Sequence, residues 1–395
     1  MLKEKIKNLA RQYADEFIEV RRHLHAHPEL SYEEFETSAF VQDKLSGWGI
    51  EFQIMSKTGV VGLIRGKNPE KRTIALRADM DALPIIEIND VPYRSKNEGV
   101  MHACGHDVHT SCLLGAAKIL NELKENWEGT IKLIFQPGEE KNPGGASLLI
   151  KEGVLENPKP EAIFGLHVHT NLEVGNFSFR GGMVMASADE LYIRVESKGG
   201  HAAAPQHTND TILASAQLIV NLQQVISRMN DPFNPSVLSI TSVQGGNTTN
   251  VIPTQVKLMG TFRAMNEEWR LKAHEIIRNI CQKTGELTGT NIHVEIDVGY
   301  PFVLNNISLS DEAKNLAKEY AGPQNISETE MRMGAEDFAY YSHIIPACFY
   351  RLGVGNIEKN ITSGVHTPTF DVDEGAIENG MGMMAWLATS IKLSK

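Results

Sequence analysis

Leu2, Ile6, Leu9, Tyr13, Phe17, Val20 and Leu24 recur at three- and four-residue steps, a spacing that predicts an amphipathic helix at the start of the chain. His27-Pro28 ends it, because proline lacks an amide hydrogen and restrains the residue before it. Ser31 followed by Glu34 has the form of a capping box, which predicts a second helix closing near Gly47. Apolar runs at 59–64 and 73–78 read as short strands. A helix over 108–123, a strand over 130–135, a helix over 146–152 and a strand over 162–168 then alternate. That alternation implies crossover units in a largely parallel or mixed sheet flanked by helices.

Around 185–189 the pattern changes. Residues 190–195 alternate polar and apolar side chains like a strand buried on one face, and 210–228 has helical spacing. Strands near 237–243 and 255–263, a helix over 267–284 and a strand over 293–298 follow. Strand-helix-strand-strand-helix-strand is a split ferredoxin-like (βαββαβ) unit, of a size that folds by itself. From Tyr300 onward, helices over 310–320 and 335–342, a strand over 347–352 and a long helix from Glu374 restore the first pattern. The expected fold is α/β: a discontinuous domain with a central mixed sheet flanked by helices, made of residues 1–185 and 300–395, with a module over 186–299 inserted. Three domains in series is the alternative, and it leaves a short C-terminal piece.

A length of 395 residues is long for one hydrophobic core, which agrees with more than one domain. The formal net charge of −11 disfavours nucleic acid or an anionic membrane as a partner, since both attract basic faces. No apolar run is long enough to span a bilayer, and the charge-rich start does not resemble a signal peptide. Cys104, Cys112, Cys281 and Cys348 show no framework spacing, so a reduced, cytoplasmic setting is expected.

Candidate chemistry concentrates at or just beyond predicted strand ends, where open α/β sheets bind ligands. The run from Met101 to Thr110 holds His102, Cys104, His106, Asp107 and His109, with no lysine or arginine. Cys104 and His106 alternate across a glycine, and thiolate and imidazole are ligands that zinc prefers. A redox thiol, or a helix start that carries histidines, fits the run equally well. Glu139-Glu140 suits a division in which one carboxylate binds metal and the other moves a proton; a solvated acidic turn is the bland alternative. His167 and His366 are singly compatible with ordinary strand-end and loop histidines. Taken together, one thiolate, three imidazoles and a carboxylate are too many ligands for one closed tetrahedral zinc and suit a two-metal site with open positions.

The set resembles the dizinc amidohydrolase and metallopeptidase family that includes aminoacylases, hippurate hydrolases, N-acetyldiaminopimelate deacetylases and auxin-conjugate amidohydrolases, in the branch with a cysteine metal ligand. The resemblance rests on Arg22–Leu30 (RHLHAHPEL), Leu76–Pro84 (LRADMDALP), Met101–His109, Phe135–Glu140 (FQPGEE), Gly199–Pro205 (GGHAAAP), Asn250–Pro253 (NVIP), Gly334–Phe338 (GAEDF) and Val365–Phe370 (VHTPTF). These stretches occur in order over nearly the whole chain.

The resemblance implies a metal-dependent amidohydrolase that cleaves the N-acyl amide of acetyl or benzoyl amino acids. A metallocarboxypeptidase or dipeptidase using the same site is the alternative, and an inactive metal-carrying binding protein is a rival of another class. It implies Cys104, His106, Glu140, His167 and His366 as ligands of two divalent metal ions, Zn2+ first, with Mn2+ or Co2+ possible. Glu139 becomes the general base toward a metal-activated water. The inserted module becomes a dimerisation or lid domain of a homodimer, His201 helps hold the oxyanion in the partner subunit's site, and Asn250 and Arg263 contact the substrate, its carboxylate being a candidate. Many relatives carry a His-x-Asp ligand motif where this chain has Asp79-Met80-Asp81. Asp79 and Asp81 are therefore expected to orient a ligand histidine rather than to bind metal. His102 and His109 are expected to be neighbours, and Cys112 a core residue.

Overall fold

A computed structural model describes residues 1–392. Contacts divide the chain into two compact units. The first comprises Met1–Val184, Leu304–Glu330 and the chain from Asp337 onward; the second comprises Met185–Val303 and Met331–Glu336. The boundaries expected at 185/186 and 299/300 thus miss a short excursion. Residues 331–336 join the second unit because the Ala186 amide donates to the carbonyls of Arg332 and Gly334. So short a segment carries no periodicity of its own.

The first unit is built on an eight-stranded mixed sheet. In spatial order its strands are Glu51–Met55, Gly59–Arg65, Thr130–Gln136, Thr73–Asp79, Ala162–Glu173, Ala347–Gly355, Phe177–Phe179 and Ile326–Glu328. Thr130–Gln136, Thr73–Asp79, Ala162–Glu173 and Ala347–Gly355 are mutually parallel, so their carboxyl ends share one side. Thr73–Asp79, Thr130–Gln136 and Ala347–Gly355 are buried along their whole lengths, as strands covered on both faces are.

Helices Leu2–Ala26, His106–Glu122 and Gly375–Ser390 pack against one another. Glycine permits one of these contacts. A Cβ on Gly380 would lie 2.4 Å from Sγ of Cys112, which sits fully buried at the crossing.

Two expectations fail for reasons the contacts make plain. The capping box does not form. The second helix runs Phe35–Gly47 with no side-chain cap from Glu34, and its first amides, those of Glu36 and Thr37, donate instead to Glu29 at 3.1 and 2.8 Å. Glu34 turns inward and accepts from Thr58, Gly138 and Tyr32, while Ser31 donates to Asp81. The helix expected over 335–342 is reduced to Ala339–Ser342. Asp337 is drawn inward: its amide donates to Glu139, and its carboxylate accepts from Arg77, Gln136 and Ala146.

In the second unit, an antiparallel sheet has the spatial order Ser236–Gln244, Gln255–Ala264, Asp189–Glu196, Asn291–Val298. Leu191, Ile193 and Val195 are buried with the apolar faces of helices Thr211–Arg228 and Glu267–Thr288, while Glu190, Tyr192 and Arg194 on the opposite face are exposed. Asp210 caps the first helix through the amides of Ile212 and Leu213, and Asn266 caps the second through Trp269.

Candidate metal centre

Six side chains meet at the carboxyl ends of the parallel strands of the first unit. Strand Thr130–Gln136 runs into Pro137-Gly138-Glu139-Glu140, strand Ala162–Glu173 carries His167, and helix His106–Glu122 starts one residue after Gly105. Gly105 has φ +81, and a Cβ there would stand 2.6 Å from a Val168 methyl. Only glycine takes that left-handed turn without cost, and the turn lets Cys104 and His106 reach one place. His366 arrives from the far end of the chain. Its amide donates to the Ala103 carbonyl at 2.8 Å, and its own φ of +62 is strained for a residue with a side chain.

Sγ of Cys104 lies 3.4 Å from Nε2 of His167 and 3.3 Å from Nε2 of His366. Oε1 of Glu140 lies 3.2 Å from Nε2 of His366 and 3.9 Å from Nε2 of His106. The donor atoms of Cys104, His106 and His167 fall within 4.8 Å of one another, as do those of Cys104, Glu140 and His366, and those of His106, Glu139 and Glu140. Three overlapping triplets sharing Cys104, His106 and Glu140 are more than one ion needs.

Each buried histidine is set by what its outer nitrogen meets. Nδ1–H of His106 donates to the Asp81 carbonyl at 2.8 Å and approaches Asp81 Oδ1 at 3.2 Å. Nδ1–H of His167 donates to the Val168 carbonyl at 2.8 Å. Both arrangements turn Nε2 inward with its lone pair, as metal-binding histidines require. Nε2 of His106 is buried with no hydrogen-bond partner, which costs free energy unless a cation meets it. His109 differs: Nδ1–H donates to Asp79 at 2.5 Å and Nε2 accepts the Val168 amide at 3.0 Å, so both nitrogens are engaged.

The electrostatics point the same way. Burial disfavours charge on His106, but Asp79, Asp81 and Glu140 outweigh it and push its pKa up to about 10, so the surroundings of this ring favour positive charge. Burial, then Glu140, Glu139 and Asp79, push the Cys104 thiol well above its ordinary value, so its thiolate needs a cation. Burial, then His109 and Arg351, hold His167 well below its ordinary value and keep it neutral.

Asp79 and Asp81 sit where orienting groups belong. Asp81 also accepts from Ser31 at 2.6 Å and from the Glu140 amide at 2.9 Å, tying the Ser31 and Glu140 segments to the place that holds His106. Arg77 and Asp337 fall within stretches that carry the family resemblance, but reasoning from sequence gave neither a role. Arg77 is fully buried and donates to Asp79 at 2.7 Å, Gln136 at 2.9 Å and Asp337 at 2.7 Å. The alternation Arg77-Ala78-Asp79 on a buried strand was the available signal, since both charges had to share one face.

A second polar cluster lies in the same unit. Arg21 donates to Asp107 at 2.8 Å with both side chains fully buried, and His25 contacts Asp107 at 2.8 Å and Glu87 at 3.2 Å.

His201, Asn250 and Arg263 lie on the second unit. His201 and Asn250 are brought together: Gly200–His201 pairs with Val251–Ile252, and the Ala202 amide donates to the Asn250 carbonyl at 3.0 Å. Nδ1 of His201 accepts the Ala203 amide at 3.0 Å, which places the neutral ring's proton on Nε2. Arg263 stands on strand Gln255–Ala264, half-buried, its Nη1 held by the Asp189 and Phe262 carbonyls and Thr261 Oγ1.

A cluster that sets paired carboxylates beside a thiol and imidazoles, with no lysine or arginine among them, suits hydrolysis assisted by divalent cations. Comparison with known proteins gives the family. The chain belongs to peptidase family M20/M25/M40, whose family model matches residues 75–390. It is 39% identical to thermostable carboxypeptidase 2 of Saccharolobus solfataricus, covering 100% of this chain and 99% of that one. It is 42% identical to the N-acyl-L-amino acid amidohydrolase of Geobacillus stearothermophilus over 77% of this chain and 82% of that one. The crystal structure of the Bacillus subtilis YXEP protein, a dinuclear metal-binding peptidase of family M20, superposes with a TM-score of 0.82 at 34% identity, covering 96% and 98% of the two chains. The chain is a hydrolase of this family. Among the described residues, no helix is long and apolar enough to cross a membrane.

Proposed function

We propose that the protein is a two-metal amidohydrolase that removes the acyl group from N-acyl amino acids with a free carboxylate. One observation carries the reading: the donor atoms of Cys104, His106, Glu140, His167 and His366 converge beside the Glu139 carboxylate, and the outer nitrogens of His106 and His167 are already satisfied. We assign those five residues as ligands of two divalent ions. The mixture of sulfur, nitrogen and oxygen suits Zn2+, with Mn2+ or Co2+ able to replace it. Such ions, when bound, polarise an amide carbonyl and lower the pKa of water.

Glu139 accepts a proton from the attacking water and delivers it to the amine nitrogen as the C–N bond breaks. Its burial and its contact from the Asp337 amide keep the carboxylate in place for both transfers. The second unit, whose element and strand order suits the ferredoxin-like type, serves as dimerisation and lid module of a homodimer. There Nε2–H of His201 is the donor for the developing oxyanion in the partner's site, and Asn250 and Arg263 contact the substrate carboxylate. A cytoplasmic setting keeps Cys104 reduced.

The test is hydrolysis of N-acetyl and N-benzoyl amino acids against dipeptides after loading with Zn2+, Mn2+ or Co2+. Preference for the N-acyl amino acids is expected. Preference for dipeptides would establish the carboxypeptidase or dipeptidase reading, which the full-length similarity to a thermostable carboxypeptidase favours. Elemental analysis of Cys104→Ala and His366→Ala should show metal lost in both; undiminished metal would remove them from the ligand set. Mixing the inactive variants His201→Ala and Glu139→Ala should restore activity by subunit exchange. No recovery after demonstrated exchange would place His201 in its own subunit's site.

A further inference from the structure

The open face of the second unit's sheet carries an arrangement that the hydrolytic reading does not use. Arg194 stands opposite Lys257 on one neighbouring strand and opposite His293 on the other, and Gln244 stands opposite Lys257. Gln244, Lys257, Arg194 and His293 therefore form one row across all four strands. Like charges directly opposite each other in a sheet repel, so a row with two fixed cations abreast works against the fold unless something anionic answers it. Glu196 answers in part: it lies 3.7 Å from both Arg194 Nε and His293 Nε2, while also accepting from Gln255 at 2.7 Å. Lys257 makes no ion pair among the described residues.

The next row is apolar at its centre. Met259 stands opposite Tyr192, each 42% exposed, and Glu295 stands on Tyr192's other side. The two rows line a cavity of about 290 Å³, near the lower end of the volumes that hold small molecules. Its parts have an order: cations along one side, an aromatic ring and a thioether in the middle, and one carboxylate at the edge strand.

We propose that this cavity binds a small amphipathic carboxylate, its anionic group on Lys257 and Arg194 and its apolar body over Tyr192 and Met259. Glu295 fixes the polarity, because a ligand carboxylate is repelled from that side. Arginine supplies a planar fork for the carboxylate and lysine a mobile point charge. Tyr192 and Met259 offer flat, polarisable surface to an aromatic ring.

Methyl NMR of the full-length, metal-loaded protein labelled at methionine Cε tests this, because Met259 reports from within the cavity. Phenylacetate should shift the Met259 methyl saturably, phenylacetamide should not, and the double variant R194Q/K257Q should lose the shift while its hydrolytic rate stays unchanged. A wild-type methyl that phenylacetate leaves unmoved, or that phenylacetamide moves equally, would overturn the proposal. So would a shift that follows protein concentration without ligand and disappears, together with an oligomer, in the double variant; that result assigns the face to a second copy of the chain. Hydrolysis is measured separately, so failure here leaves the assignment of the metal centre standing.

Discussion

Two clusters of histidine and carboxylate in the first unit draw on the same short run of chain and behave in opposite ways. Asp107 belongs to one, with Arg21, His25 and Glu87; Cys104 and His106 belong to the other, with Glu139, Glu140, His167 and His366. Arg21 closes the first cluster in charge, although Oδ1 of Asp107 has no hydrogen-bond partner. Burial alone would disfavour its charge, but Asp107, Asp371 and Glu374 hold it protonated, and it in turn holds Asp107 well below the usual carboxylate range. Both nitrogens of His25 are engaged by carboxylates. The second cluster contains no residue with a permanent positive charge, and Nε2 of His106 has no hydrogen-bond partner, the carboxylates of Asp79 and Glu140 standing 3.7 and 3.9 Å away. Residue types do not separate the two. The difference is whether the protein supplies its own cation or leaves that place to one from solution.

The largest effect should come from the residue that only the open cluster can use. Glu139→Gln should lower kcat by about 10²–10⁴-fold, the range typical of a positioned general base, with metal content unchanged. Steady-state hydrolysis together with elemental analysis reads both quantities. Near wild-type turnover would exclude Glu139 from proton transfer, and loss of metal would move it into the ligand set.

Arg21→Met attacks the closed cluster. It leaves Asp107 buried without its cation, which should cost roughly 3–5 kcal/mol of stability in a urea titration. Metal bound per folded molecule should not change. Chelating the metals of the wild type should do the converse, abolishing activity while lowering stability only by the linkage contribution, about 2.7 kcal/mol for each ion that was at a hundredfold its Kd. A metal-poor but stable Arg21→Met protein would mean that the two clusters are one.

The sequence carried much of this pattern and concealed the rest for physical reasons. Cys104-Gly105-His106 and Glu139-Glu140 stood out by residue type and by their place at or beyond predicted strand ends, but each run alone also fitted a bland reading, and only the set taken together pointed to a two-metal site. By residue type alone His109 was not separable from His106, and only the family resemblance set it apart: what distinguishes them physically is that His109 spends Nε2 on the Val168 amide, a contact between distant segments. The start of the second helix misled for a similar reason. Ser31 and Glu34 have the right spacing to cap locally, but Asp81, Thr58 and Gly138 compete for them from elsewhere and win, leaving Glu29 to serve the helix. The three-residue strands Phe177–Phe179 and Ile326–Glu328 are too short for a period to register. Local patterns predicted what local forces decide.

The smallest effect expected is also the most discriminating. Asp81 meets His106 twice, through its backbone carbonyl at 2.8 Å and its Oδ1 at 3.2 Å. In Asp81→Asn the carbonyl still accepts from Nδ1–H, so the ring keeps its tautomer and orientation. What disappears is the negative charge that makes Nε2 a stronger donor to a cation and that holds the Ser31 and Glu140 segments together at Oδ2. Partners of this kind are worth on the order of 10–100-fold in metal affinity, and the surviving carbonyl contact argues for the lower end. Competition titration with a chromogenic chelator measures it, and His25→Asn, which disturbs only the closed cluster, should leave metal affinity unchanged. Equal affinity in Asp81→Asn and wild type would show that the backbone alone orients His106, and the open cluster would then owe its pull on metal to its own ligands.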